Sequence, residues 1–226
     1  MKHFSREEAL DAIALSIDAV DLPHPVRVGV DGVSASGKTV FADELCGILR
    51  GMGHNVIRAG VDGFHNPPEV RHRRGGLSVK GYMEDSFNLK AIREYLLVPL
   101  GPGGDLSFLS SVYDHKVEKP TEQERSLAFA GSILIFEGVM LFRDELADFF
   151  DYKILVHVSH EVALERAKVR DLEHFGGMEQ LLKKYNQRFI PGQQLYQEQC
   201  DPRSLADVVL GNEDWARPRL EFRPPD

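Results

Sequence analysis

Cysteine is scarce. Cys46 and Cys200 are the only two in 226 residues, they lie far apart, and neither belongs to a metal-spaced or redox motif, which fits a reducing compartment. No apolar run approaches the length of a membrane span. The opening MKHFSREEALDAI is charged and polar where a secretory signal needs an apolar core. These shortages predict a cytoplasmic protein with no membrane partner. Positive charge is also in deficit: the formal net charge is -8, so the overall field repels polyanions. That argues against polymeric nucleic acid as a partner and requires any bound phosphate to be held by a local site.

What is present is the composition of an ordinary soluble protein, 42% apolar and 27% charged, in a chain long enough to bury a full core. Repeats, low-complexity tracts and internal linkers are missing, so one domain is expected over 1–226. Ser5 followed by Glu8 has the spacing of a capping box, and Ala9, Leu10, Ile13 and Ile17 recur at helical intervals behind it. A helix is therefore expected at about 5–20. VRVGVD reads as a buried strand, TVFADELCGILRGMG as a helix ending in glycine, and NVIRAGVD as the next strand. This βαβ unit predicts an α/β fold with a parallel sheet flanked by helices. The stretch 63–84 has no period and reads as a long loop, and 88–98 recovers helical spacing. The runs at 132–136 and 152–158 suit central strands buried on both faces, ADVVL suits a last strand, and the tail RPRLEFRPPD reads as an ordered or fraying end.

Between the first strand and the following helix lies Gly32-Val33-Ser34-Ala35-Ser36-Gly37-Lys38-Thr39, which matches G-x-x-x-x-G-K-[ST] in the strand-turn-helix setting its mechanism requires. Successive backbone N–H groups and the positive end of a helix would close around a polyphosphate. Lys38 would reach the β- and γ-phosphates, and Thr39 would hold Mg²⁺. Glu137 ends the strand ILIFE in a Walker-B-like position for ordering Mg²⁺, or is a plain strand-terminating charge. Asp62 ends the second strand, where Asp-Gly is also common turn chemistry. The carboxyl ends of strands in an open α/β sheet share one crevice, which would bring Asp62, Glu137 and the loop together. His65 and His72 lack a third partner in any zinc-spaced pattern.

In order along the chain, GVDGVSASGKT, VDGFH, YMEDSFN, VYDH, IFEGVML, RAKVRD, KKYNQRF and ADVVL resemble the uridine kinase and phosphoribulokinase group of P-loop kinases, from Val26 to about Asn212. The resemblance implies a three-layer P-loop kinase fold with a five-stranded parallel core and a short lid at about 171–178. It also implies ATP as donor and a primary hydroxyl on a small acceptor, uridine or a related nucleoside. A same-fold kinase for a pantothenate-like acid or a sugar, or a nucleotide-binding regulator without transfer, are the alternatives, and self-association is left open. By the same resemblance Asp62 takes the place of the general base, and Asp85 that of an acid gripping ribose hydroxyls. Tyr113 takes the place of an aromatic beside the base. Local alternatives are a helix N-cap for Asp85 and strand-edge burial for Tyr113.

Arg166 and Arg170, four apart on one helical face, would approach one phosphate chain, or pair with surface neighbours such as Glu165. Three departures stand out. LEHFGGME supplies none of the lid arginines, only His115 is available where a histidine is expected beyond Tyr-Asp, and Lys184 replaces a glutamine near the sugar. Lys184 would suit a carboxylate or phosphate on the acceptor. The basic loop with Arg71, Arg73, Arg74 and Lys80 either stands in for the lid arginines or simply faces water.

Overall fold

The computed structural model describes residues 4–223; the polar start at 1–3 and the proline end at 224–226 lie outside the described residues. Ser5 caps helix α1 (Arg6–Asp18) through a reciprocal capping box with Glu8, which places Ile13 and Ile17 against the sheet. Strand β1 (Val26–Asp31) is buried along its whole length and leads through the glycine-rich loop into α2 (Lys38–Gly51). Strand β2 (Val56–Gly60) completes the first βαβ unit.

Beyond it, β3 (Ile133–Gly138), β4 (Tyr152–His157), β5 (Val208–Gly211) and β6 (Arg219–Phe222) complete a six-stranded sheet in the order β6-β5-β4-β1-β3-β2. Five strands, β2, β3, β1, β4 and β5, run parallel, as the sequence predicts. The sixth is a correction to the predicted count of five: β6, within the tail read as an ordered or fraying end, pairs antiparallel with β5. Its alternation explains this, since only Leu220 in RLEF turns inward and one buried residue is too weak a signal to read as a strand.

The sheet is covered on both faces, which is why β3 reads as an unbroken apolar run. Its odd and even residues enter different layers: Ile133 and Ile135 pack with Phe41, Leu45 and Leu49 of α2, while Leu134 and Phe136 pack with Phe64, Leu96 and Phe150 on the opposite face. The stretch 63–84 is not a long loop. It contains a short 3-10 turn (Val61–Phe64), α3 (Pro68–Arg71) and α4 (Val79–Asp85), the last capped by the Ser78 hydroxyl on Gly81 N–H. Helices this short span too few turns to show a period, and glycine and proline mask their ends.

Segment 88–98 is helical as expected, with Asn88 capping α5 (Leu89–Ile92) before a π-helical turn at Arg93–Leu97. Helix α6 (His160–Arg170) ends at Asp171, and turns follow through Gly177. Then α7 (Met178–Lys184), a π-helical turn (Tyr185–Phe189) and α8 (Ile190–Cys200) run as one continuous helical rod. No helix among the described residues is long and apolar enough to cross a membrane.

Phe136 is fully buried, edge-on to Phe64 with ring centroids 6.0 Å apart and stacked on Phe150 at 6.2 Å. Truncating it removes dispersion contacts on both sides and leaves a cavity in the middle of the sheet. Phe136→Ala is expected to lower unfolding free energy by about 3–5 kcal/mol in urea denaturation. A loss below about 1 kcal/mol would show that this layer collapses to fill the space.

Candidate functional site

The loop from Gly32 to Gly37 owes its shape to its glycines. Gly37 sits at φ +91°, and a Cβ there would lie 2.8 Å from Asn212 Nδ2; a Cβ on Gly32 would lie 2.5 Å from the Val156 carbonyl oxygen. Ala35 takes a left-handed φ of 61°. Side chains from distant segments then hold the loop by its carbonyls. Arg166 Nη1 and Asn212 Nδ2 both donate to the Ser36 carbonyl, at 3.1 and 2.8 Å, and Arg166 Nη2 donates to the carbonyls of Asn212 and Glu213. Lys38 is buried and its Nζ folds back toward the Val33 carbonyl at 3.4 Å. Thr39 follows in the first turn of α2, where unpaired backbone N–H groups favour an anion.

Beneath the loop, Asp31 is completely buried at the end of β1. Its carboxylate accepts hydrogen bonds from Gly32 N–H (2.8 Å), Leu141 N–H (3.3 Å) and the Tyr196 hydroxyl (2.5 Å). Burial raises the Asp31 pKa, and these bonds oppose the rise. Burial also drives the Tyr196 hydroxyl far up, so it stays a donor. Beside it, Gln193 Nε2 donates to the Ser34 hydroxyl at 2.9 Å and to the Tyr82 hydroxyl at 3.0 Å. Asp31, Gln193, Tyr196 and Asn212 had no place in the sequence reading. Asp31 alone left a local signal, a carboxylate closing a buried strand one residue before the first loop glycine.

The loop opens onto a cavity of about 470 Å³ at the carboxyl end of the sheet, lined among others by Ser34, Lys38, Thr39, Asp62, Glu137 and Arg170. The register explains the convergence: Glu137 of β3 lies beside Val30, one residue from the end of β1, and beside Gly60, the last residue of β2. Gly60 leaves room for the acid, since a Cβ there would stand 3.1 Å from Glu137 Oε1. Glu137 is buried with Arg58 Nη2 at 3.4 Å. Asp62 presents a largely exposed carboxylate to the cavity, with its Oδ1 3.9 Å from His65 Nδ1. His65 donates to the Asp62 carbonyl at 3.0 Å, and its ring lies against Phe87 and His115 with centroids 4.7 and 4.8 Å away. Burial lowers the His65 pKa, so the ring favours its neutral form. His115 lines the same wall.

The other expected site residues divide. Arg166 and Arg170 share a helix face but part at their tips: Arg166 is used on loop carbonyls, while Arg170 reaches the cavity, paired to Asp171 through Nε at 2.6 Å and Nη2 at 2.9 Å. Asp171 also accepts from the Tyr185 hydroxyl at 2.7 Å. Tyr113 is buried at a short ladder and donates to Glu118 at 3.1 Å, outside the cavity lining. Asp85 is 1% exposed, also outside that lining, and held by Arg73 and Arg74. Arg74 further pairs with Glu84 at 2.8 Å, and Lys80 lies 3.7 Å from Glu84. Of the basic loop, only Arg71 reaches the cavity, where Lys184 and Arg188 form the same wall.

The bond from Arg73 holds the Asp85 carboxyl below the ordinary carboxylate range, and outweighs the opposing push of burial. A group with a depressed folded pKa adds stability above its unfolded value of about 3.9 and loses it as pH falls through the folded value. Asp85→Asn should therefore be less stable than the native chain at pH 7. Its urea midpoint should also fall less between about pH 5 and pH 2. Parallel acid limbs for the two proteins would show that the Asp85 ion pairs contribute no such linkage.

Comparison with known proteins places this geometry in a family. The model of the phosphoribulokinase / uridine kinase family matches residues 27–196. Uridine-cytidine kinase B of Dictyostelium discoideum is 28% identical over 190 residues, covering 83% of this chain and 74% of the relative. A uridine kinase of Listeria innocua is 23% identical, covering 82% and 86%. The solved structure of a possible uridine kinase from Bacillus stearothermophilus superposes with a TM-score of 0.70 at 21% identity, over 90% of this chain and 97% of that one. With a family model spanning most of its length and a sheet, loop and crevice arranged as described, the chain belongs to the phosphoribulokinase / uridine kinase family of P-loop kinases.

Proposed function

We propose that this chain transfers the γ-phosphoryl group of ATP to a primary hydroxyl of a small acceptor, with Mg²⁺, in the cytoplasm. The observation that carries the reading is the meeting of Lys38, Thr39, Asp62 and Glu137 on one cavity at the mouth of a glycine-shaped loop. A nucleoside acceptor is supported by the names of the relatives, which are uridine and uridine-cytidine kinases.

The residues present fit a nucleotide with its metal. The loop carries a left-handed Gly37 and no room for a Cβ at Gly32, so its backbone can close on a phosphate chain. Lys38 would bear on the β- and γ-phosphates, and Thr39 and Glu137 would hold Mg²⁺, which neutralises charge on the phosphoryl oxygens. Arg170, already oriented by Asp171, would cover the phosphates from the other side. Asp62 would take the proton of the attacking hydroxyl while the new acceptor O–P bond forms and the bond from the γ-phosphorus to the leaving ADP oxygen breaks. A largely exposed carboxylate at the crevice suits that role, because its lone pairs are open to an incoming hydroxyl.

Two substitutions separate binding from chemistry. Lys38→Ala is expected to lower acceptor-dependent ADP release by about 10²–10³ or more, the scale for losing a charged group that stabilises a transition state. Asp62→Asn is expected to keep ATP affinity and lower kcat by about 10²–10⁴. Near-native turnover in folded Lys38→Ala protein would overturn the assignment of the loop and Lys38 to the phosphates, and an Asp62→Asn variant impaired only in ATP affinity would assign the base elsewhere.

A further inference from the structure

One part of the cavity lining gathers more cations than the carboxylate paired with it can balance. Arg71, at the end of α3, and Lys184 and Arg188, on the helical rod that begins at Met178, line it together. Lys184 Nζ and Arg188 Nη1 donate to the same acceptor, the Gly76 carbonyl, at 2.8 and 2.9 Å. One neutral oxygen thus holds an ammonium and a guanidinium side by side. Arg188 is only 4% exposed, and its guanidinium otherwise faces the Tyr82 ring at 5.7 Å. Arg71 pairs with Glu118 through Nη2 at 2.5 Å, while its Nε is buried with no hydrogen-bond partner. Glu118 lines the cavity as well, and it also accepts the Tyr113 hydroxyl. Asp85 is already engaged by Arg73 and Arg74.

Gathering like charges out of water is unfavourable unless an anion offsets it. Burial and the neighbouring Arg188 push the Lys184 ammonium pKa down, and burial lowers that of Arg188. His72, on the same wall, is also pushed toward its neutral form by burial and by Arg188 and Arg71. Such an arrangement is what a carboxylate or phosphate ligand would relax, with guanidinium forks and an ammonium supplying charge-assisted bonds.

We propose that Arg71, Lys184 and Arg188 form an anion subsite for a carboxylate or phosphate group that the acceptor carries in addition to the hydroxyl it presents to Asp62. This rests on the kinase reading and narrows its acceptor to an acid-bearing one. The same chemistry could also be met by the γ-phosphate of ATP, and the experiment separates the two sources.

The decisive measurement is calorimetric titration of inorganic phosphate into protein whose nucleotide site is saturated with a non-hydrolysable ATP analogue and Mg²⁺. The native chain is expected to bind phosphate, and Lys184→Gln to weaken that binding at least tenfold while leaving analogue affinity unchanged. Lys184 is partly exposed, so the variant should fold; an unchanged thermal midpoint checks this. Turnover is then compared within matched pairs that differ by an acid: uridine with orotidine, glycerol with glycerate, fructose with fructose 1-phosphate. The acidic member of at least one pair should be favoured tenfold or more in kcat/KM, with Lys184→Gln acting mainly on its KM. Absence of phosphate binding with the nucleotide site filled overturns the subsite and leaves the kinase reading standing, as does a preference for neutral members throughout. Loss of analogue affinity in Lys184→Gln assigns these cations to the nucleotide and equally overturns the proposal. Failure of the native chain to bind the analogue at all is the separate outcome that counts against the kinase reading.

Discussion

A fully buried carboxylate must find donors or give up its charge, and Asp31 finds three. They come from the first glycine of the phosphate-type loop, from Leu141 after the third strand, and from Tyr196 on the last long helix. One small group therefore fixes where the loop starts, how the chain leaves β3, and how closely the helical rod lies against both. Removing any one donor would leave an unmatched acceptor in the interior, at a penalty on the order of 1–3 kcal/mol. Gln193, one turn before Tyr196, repeats the tie a few ångströms farther along by bonding Ser34 and Tyr82. The flexible-looking glycine loop is thus held from below by carboxylate and amide, and from the side by Arg166 and Asn212.

How much of this was legible in the sequence depended on how local the cause was. The loop, its strand and its helix are written within about two dozen residues, and glycine, lysine and threonine at those intervals have a mechanical meaning. Glu137 and Asp62 could be brought to the same crevice because parallel α/β topology sends strand ends to one edge. The α/β class followed from buried apolar runs alternating with amphipathic ones.

What stayed hidden depends on partners far apart in sequence. Nothing near Asp31 announces Tyr196, 165 positions away. Nothing near Asp85 predicts that Arg73 and Arg74 will fold over it, because the intervening turn is read only as aperiodic. Arg166 has the spacing of a phosphate ligand, yet its fork meets loop carbonyls because β5 delivers Asn212 and Glu213 to its tip. Strand β6 escaped because pairing with an edge asks for backbone groups, and three of its four side chains are exposed.

The π-helical turn at Tyr185–Phe189 gives the rod from Met178 to Cys200 an uncommon capacity. A wider turn shifts the angular phase of everything after it relative to everything before. Lys184 and Arg188, at that turn, look into the cavity, whereas Gln193 and Tyr196, beyond it, look onto the loop and Asp31. The segment behaves as a camshaft with two lobes set at different angles on one axle. One piece of backbone thus sets the side chains at both ends of the crevice, at two different angles.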